Sequence, residues 1–174
     1  MKKILIGIFF LGLTNLIYSQ TAFHPESFFS KIKTLSTVNA AYINNVFDAN
    51  NSKRVVYLEN KVAEYDIKKQ PLFNKEFESY IVVFEEHNNY QGSINATYDE
   101  NGEIINTHEK FKNIKLPFLV LNVINKTYPG FIIQSNFYIV NYSKNKATKK
   151  FFKVKIEKEG EIKSLKINPE GKII

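Results

Sequence analysis

Apolar positions recur at helical spacing in two clear places and at strand spacing in most others. Leu116, Val120, Val123, Ile124 and Thr127 form one stripe, and Pro117 suits the first turn of a helix. Pro129 disfavours a helical Tyr128, and Gly130 supplies a left-handed turn, so the helix ends there. At 1.5 Å per residue it runs about 18 Å. Phe118, Leu119 and Leu121 widen its apolar side. The reading is a core helix lying on a sheet. Val55, Leu58, Val62 and Tyr65 predict a second helix, with Glu59, Asn60, Lys61 and Glu64 mostly opposite the stripe. Phe28, Ile32 and Leu35 have helical spacing, and Asn39 to Phe47 fits helix or strand. Asp48 to Lys53 is a polar break and reads as a loop.

The remaining patterns are strands. Phe77 to Glu85 is apolar in both phases, which predicts an inner strand with two covered faces. Ile94, Ala96 and Tyr98 alternate with polar residues, Asn101-Gly102 marks a hairpin, and Glu103 to Thr107 is the return strand. Phe137 to Tyr142 is the next strand. A lysine-rich turn, Ser143 to Lys150, precedes Phe152, Val154 and Ile156, which alternate with Lys153, Lys155 and Glu157. Glu159-Gly160 turns the chain towards Leu165 and Ile167, and Pro169-Glu170-Gly171 makes a last turn.

The turn from Tyr98 to Ile105 matches Ile167 to Ile174, with Gly102 and Gly171 69 positions apart. Each copy follows an apolar strand and, before that, a helical stripe. The expected fold class is therefore α+β, with tandem helix-plus-antiparallel-sheet repeats and helices packed on one face of the sheet. The expected division is a leader at 1–19, an N-terminal segment at 20–54, and repeats at 55–110 and 111–174.

The leader has the pattern of a secretory signal peptide: Lys2 and Lys3, an apolar run from Ile4 to Leu13, and Ser19 as the small residue before cleavage at Gln20. That run is shorter than the roughly 20 residues of a membrane span. The expectation is an exported chain, periplasmic or secreted, with no transmembrane segment in its mature form. With no cysteine in the chain, disulfides, thiolate catalysis and cysteine metal sites are excluded. The formal charge is +7, yet Arg54 is the sole arginine. Nucleic-acid readers favour the arginine fork, so no nucleic-acid partner is expected.

Candidate chemistry is sparse. Asp99, Glu100, Asn101 and Glu103 crowd a turn but lack the spacing of a calcium loop. Glu85, Glu86 and His87 are consecutive, and consecutive strand residues face opposite ways. Neither metal nor cofactor is expected, and no nucleophile–base set is visible. Lys144, Lys146, Lys149, Lys150, Lys153 and Lys155 form a run without an acid, interleaved with Tyr142, Phe151 and Phe152. The candidate binding residues are Lys144, Lys146, Lys149, Lys150 and Phe151. They suit an acidic partner or an anionic glycan or lipid surface; otherwise they are a solvated hairpin whose lysines discourage edge pairing.

Tyr98 to Ile105, Leu116-Pro117, Tyr128-Pro129-Gly130 and Asn168 to Ile174 resemble the PepSY-like group related to β-lactamase inhibitor proteins. Leu58-Glu59, Val62-Ala63, Tyr65-Asp66, Thr107, Glu109-Lys110, Tyr138, Val140 and Tyr142 resemble small exported proteins of Gram-negative bacteria. Some of those bear a nicotinate-nucleotide adenylyltransferase label. That activity needs a phosphate-cradling loop with a His-x-Gly-His motif, whereas His24, His87 and His108 are isolated. The resemblance implies two tandem α+β copies, and binding or inhibition rather than catalysis. The expected function is a non-enzymatic binding module for an as yet unnamed protein, with inhibition as one form of it. The alternative is an envelope protein that grips anionic glycan or lipid through the lysine-rich hairpin.

Overall fold

The computed structural model describes residues 38–74, 76–86 and 91–174. The stretch expected to be a leader and His87 lie outside the described residues, as do positions 20–37 with their helical spacing at Phe28, Ile32 and Leu35. Three α-helices are described: α1 (Ala40–Val46), α2 (Lys53–Glu64) and α3 (Phe118–Thr127). Six strands follow one another as β1 (Ser79–Glu85), β2 (Gly92–Asp99), β3 (Ile104–Lys112), β4 (Ile132–Ser143), β5 (Lys149–Lys158) and β6 (Glu161–Ile167). They form one six-stranded sheet in the order β1-β2-β3-β4-β5-β6. Every neighbouring pair is antiparallel.

The α+β class is as the patterns imply, and the core explains it. Alternate strand residues (Ile94, Tyr98, Phe111, Tyr138, Val140, Phe152, Val154, Ile156, Ile167) are buried on one face. They pack with Tyr42 and Val46 of α1, Val55, Leu58 and Val62 of α2, and Val120 and Ile124 of α3. On α3 the stripe holds at Leu116, Val120 and Ile124, whereas Phe118 and Leu119 are exposed. Asn39 to Phe47 resolves as helix, because Tyr42, Ile43 and Val46 fall on one helical face and are buried there.

One strand differs from the expectation in kind. The 77–85 strand is not inner: β1 is the sheet edge, and its residues alternate between exposed and half-buried. Tyr80, Val82 and Phe84 reach the core, while Ile81 and Val83 stand in solvent. Apolar residues in both phases therefore mark an uncovered strand here. The other differences are of length. β4 begins at Ile132, and Lys149 already belongs to β5, so the predicted lysine-rich turn is shorter.

The two matching turns have the same hydrogen bonds. Asp99 N donates to Glu103 O at 2.9 Å and Gly102 N to Asp99 O at 2.9 Å. At the same offset, Asn168 N donates to Lys172 O at 2.9 Å and Gly171 N to Asn168 O at 3.0 Å. Gly102 and Gly171 both adopt positive φ, 74° and 81°. The pairing Tyr98↔Ile104 has its counterpart in the bridge Ile167↔Ile173. Matching the turns sets β2 on β6 and β1 on β5, which leaves β4 without a counterpart. The two stretches are parts of one sheet, joined by β3 and β4 from Asn106↔Ser143 to Lys112↔Phe137.

Asn39 ties the start of α1 to the end of α2. Its side-chain amide donates to the carbonyls of Val62 (3.2 Å), Ala63 (3.2 Å) and Tyr65 (2.9 Å). These are the last-turn carbonyls that a helix cannot satisfy itself. Replacing Asn39 with Leu removes this side-chain donor from all three; the backbone N–H of Tyr65 still serves Val62 O and that of residue 39 still serves Ala63 O, but Tyr65 O loses its bond. The expected cost is about 1–3 kcal/mol, measured as a lower urea midpoint with an unchanged slope.

Candidate functional site

The helices cover one face of the sheet, and among the described residues no element covers the other. Its composition follows from strand parity. β3 contributes His108, Lys110 and Lys112; β4 contributes Phe137, Ile139 and Asn141; β5 contributes Lys149, Phe151, Lys153 and Lys155; β6 contributes Lys166. The register sets Phe151 opposite Ile139, and Lys153 opposite both Phe137 and Lys166. Ile139 is buried on this otherwise open face. The Lys110 ammonium lies 4.9 Å from the Phe137 ring centre and that of Lys166 4.2 Å from Phe151. Each is within cation–π range. The result is an aromatic strip edged by ammonium groups.

The acids of this face sit at its margins. Glu157 accepts from Gln134 (3.0 Å) and from Gly160 N (2.8 Å), and Glu85 lies on the edge strand. Two open clefts flank the strip. One of about 370 Å³ is lined by Glu85, Glu86, Ser93, Lys110, Lys112 and Phe137. The other, of about 570 Å³, is lined by Asn45, Thr148, Lys149, Lys150, Phe151 and Lys166. His108 is on the open face, with Nδ1 2.7 Å from Asn141 Oδ1.

The five residues proposed from sequence do not share one surface. Lys149 and Phe151 join the open face. Lys144 is in the β4–β5 turn and bonds to Glu103. Lys146 is exposed in the same turn. Lys150 has the opposite parity to Lys149, faces the helices, and donates to Val46 O at 2.8 Å. A run that looks continuous in sequence is divided by the strand alternation between the two faces.

Behind the basic face lies an acidic pair that the sequence reading missed. Glu59 of α2 and Glu109 of β3 are both fully buried. Glu59 is not opposite the stripe, as expected from its neighbours, but within it, four residues after Val55 and three before Val62. Glu109 shares the parity of Thr107 and Phe111. Those two spacings were the available signal. Tyr42 OH donates to Glu109 Oε1 at 2.9 Å and Thr107 Oγ1 donates to the same oxygen at 3.1 Å.

Burial pushes both carboxyls up. Glu109 rises to about 7, against the pull of its bonds from Tyr42 and Thr107 and of nearby Lys150. Glu59 rises well above the ordinary range, through burial first and the Glu109 charge second. As carboxylates, Glu59 and the Oε2 of Glu109 have no donor. A proton kept on Glu59 supplies one, and the two side chains then share a hydrogen bond. Two like charges this deep in the core are too costly to coexist.

No protein-family model matches the chain, so the PepSY-like resemblance gains no support there, and no curated protein matches it either. Two solved structures show partial likeness. One is a Bacteroides eggerthii protein described as periplasmic, with TM-score 0.34, 12% identity, and coverage of 56% of this chain and 68% of that one. The other is a BLIP-like protein from Bacteroides fragilis, with TM-score 0.31, 18% identity, and coverage of 56% and 73%. Among the described residues no helix is long and apolar enough to cross a membrane.

Proposed function

We propose that this chain is an exported, non-catalytic binding module whose uncovered sheet face receives an acidic surface of another protein. One observation carries the reading. Lys153 and Lys166 stand directly opposite each other across β5 and β6, beside Lys110, Lys149 and Lys155, with the acids of the face confined to its margins. Like charges paired across strands destabilise a sheet. A fold that keeps them on an open face, around Phe137 and Phe151, bears a cost that stability does not explain and an acidic partner would offset. The same face offers a partner an apolar strip to desolvate. Inhibition is one form such binding takes, where the acidic surface borders a partner's active site.

The charge pair makes the reading testable. Replacing Lys153 with Glu converts a like pair into an opposite pair and leaves the Lys166–Phe151 contact in place. It is expected to raise stability by about 0.2–1 kcal/mol, while Lys153→Glu with Lys166→Glu weakens partner binding at least tenfold. The experiment is a cross-linked pull-down from an envelope extract of the source organism. Three baits run in parallel: the wild type, the double Glu variant, and Lys144→Ala with Lys146→Ala. Titration of the captured protein against each bait then gives the affinities. A partner retained equally by the double Glu variant would refute the proposed face.

The competing reading is an anionic glycan or lipid surface gripped by the lysines. It is favoured by Lys149 and Lys166 beside the 570 Å³ cleft. It is weakened in the hairpin itself, where Lys144 bonds to Glu103 and Lys150 turns inward. Binding to anionic vesicles that disappears above about 0.15 M salt supports this second reading. A packed protein interface persists there.

A further inference from the structure

The two edges of the sheet are not treated alike. β6 carries Lys163 and the exposed Lys166, and the chain folds back on it at Ile173, where Ile167 pairs with Ile173 and Ile174 N donates to Lys166 O at 2.8 Å. Charged side chains and a covering segment are the usual protections of an edge. β1 has neither. Ser79 to Glu85 holds no lysine, no proline and no bulge, and its pairing with β2 is regular throughout. Ile81 is 73% exposed and Val83 55% exposed.

The hydrogen-bond phase of β1 says what the edge offers. Glu86 N donates to Gly92 O at 2.9 Å. In an antiparallel pair the bonding residues alternate, so Phe84, Val82 and Tyr80 bond inward to β2. The N–H and C=O groups of Ser79, Ile81, Val83 and Glu85 then point outward. Among the described residues, none of these outward groups has a bonding partner.

The side chains of β1 read the same in either direction. About Val82 the order is polar, aromatic, β-branched, β-branched, β-branched, aromatic, polar: Ser79, Tyr80, Ile81, Val82, Val83, Phe84, Glu85. We propose that β1 pairs antiparallel with β1 of a second copy of this chain, about a two-fold axis through Val82. That register sets Ile81 against Val83, Tyr80 against Phe84, Ser79 against Glu85 and Val82 against itself. It also has the required bonding phase, because the outward-pointing residues 79, 81, 83 and 85 fall opposite one another. A register shifted by one residue would set outward groups against inward ones. The shift by two that pairs Ile81 with Ile81 sets Val83 against Ser79 and leaves Glu85 unpaired.

The interface is isologous, as two-fold dimers require. The axis is perpendicular to the sheet, so the product is a twelve-stranded sheet with both basic faces on one side. Ile81 and Val83 of each copy cover one another on that side. At each end Glu86 approaches Glu78 of the other copy, and Arg54 already neutralises Glu86, donating from Nε at 2.8 Å and Nη2 at 2.6 Å.

The test uses the full 174-residue chain. Sedimentation velocity between about 1 and 100 μM is expected to show a concentration-dependent dimer. Ile81→Lys with Val83→Lys should give the monomer mass, with an unchanged circular dichroism spectrum. The absence of native cysteine allows a check of register. Val82→Cys places two sulfurs across a non-bonded pair with Cα atoms about 4.5 Å apart, within disulfide reach. It should oxidise to a covalent dimer, while Ile81→Cys, which faces Val83, should not. A monomer at every concentration overturns the proposal. So does a dimer that survives both lysines. Hydrogen-exchange protection of the Ile81 and Val83 amides in a monomer overturns it too, since the chain's own residues would then cover the edge.

Discussion

Truncating Phe152 to alanine is expected to cost about 3–5 kcal/mol of stability, a large share of the roughly 5–15 kcal/mol that holds a domain of this size together. Phe152 is 1% exposed at the centre of β5. It stacks on Tyr138 with ring centres 4.7 Å apart and planes at 27°. The register sets it opposite Tyr138 on one side and Ile167 on the other. Strands on both sides fix the backbone, so the site cannot collapse around the void, and the cavity adds to the lost transfer energy. Phe151 is the control. One residue earlier it faces the opposite way, half-exposed beneath the Lys166 ammonium. Phe151→Ala should cost no more than about 1 kcal/mol and should instead weaken binding at the open face. Urea denaturation of both variants decides the matter. Equal losses at the two positions would mean that the assignment of faces is wrong.

Much of this fold can be read from spacing, because burial imposes a period. The stripes Val55–Tyr65 and Leu116–Thr127 became helices, and Phe152, Val154 and Ile156 became a strand with one buried face. Asn101-Gly102 and Pro169-Glu170-Gly171 were legible because left-handed backbone needs glycine. Gly171 is doubly constrained: a Cβ there would also lie 2.8 Å from the Leu119 carbonyl oxygen. β1 was misjudged because an apolar residue facing solvent on an edge strand looks, in sequence, like one facing a second layer. Which of the two obtains is decided by strand order, and local pattern does not encode strand order.

The candidate site was less legible for a related reason. The lysines from Lys144 to Lys155 attract attention as a run, yet the alternation separates Lys149 from Lys150. Lys110, Lys112 and Lys166, which complete the open face, come from strands far away in the chain. Glu59 is concealed by its chemistry. A carboxyl in an apolar stripe is ordinarily assigned to the solvent side, and only its partner across α2 and β3 gives it a place inside.

That pair predicts the larger effect of solution conditions. Raising the pH from about 5 to 8 is expected to weaken the fold by roughly 2–4 kcal/mol through Glu109. The sign follows from proton counting. The Glu109 carboxyl holds its proton to about 7 in the folded chain and releases it near 4.3 when unfolded. Between those values the folded state binds more protons, so stability falls as pH rises. The contribution is fully present below about pH 4 and is lost as the pH passes 7. Glu59, shifted in the same direction, adds a decline of its own that starts at the same unfolded value near 4.3 and reaches to higher pH.

Every layer around the pair bears on it. Tyr42 of α1 and Thr107 of β3 donate to Glu109 and favour its charge, as does Lys150 of β5. Asp48, between α1 and α2, acts against charge on Glu59. The Tyr138 hydroxyl of β4 is itself pushed up by burial and by both acids, as is that of Tyr42. Since all are present in the wild type and the variants, the comparison isolates the acids. Glu109→Gln keeps the shape and cannot ionise, so its urea midpoint should decline less steeply than the wild type's between pH 5 and 8, the slope that remains belonging to Glu59. Glu59→Gln should likewise remove its own share of the slope, and Glu59→Gln with Glu109→Gln should leave the midpoint flat. A wild-type midpoint that holds or rises over this interval, or a Glu109→Gln variant that declines in parallel with it, would show that Glu109 is ionised in the folded chain at all these pH values.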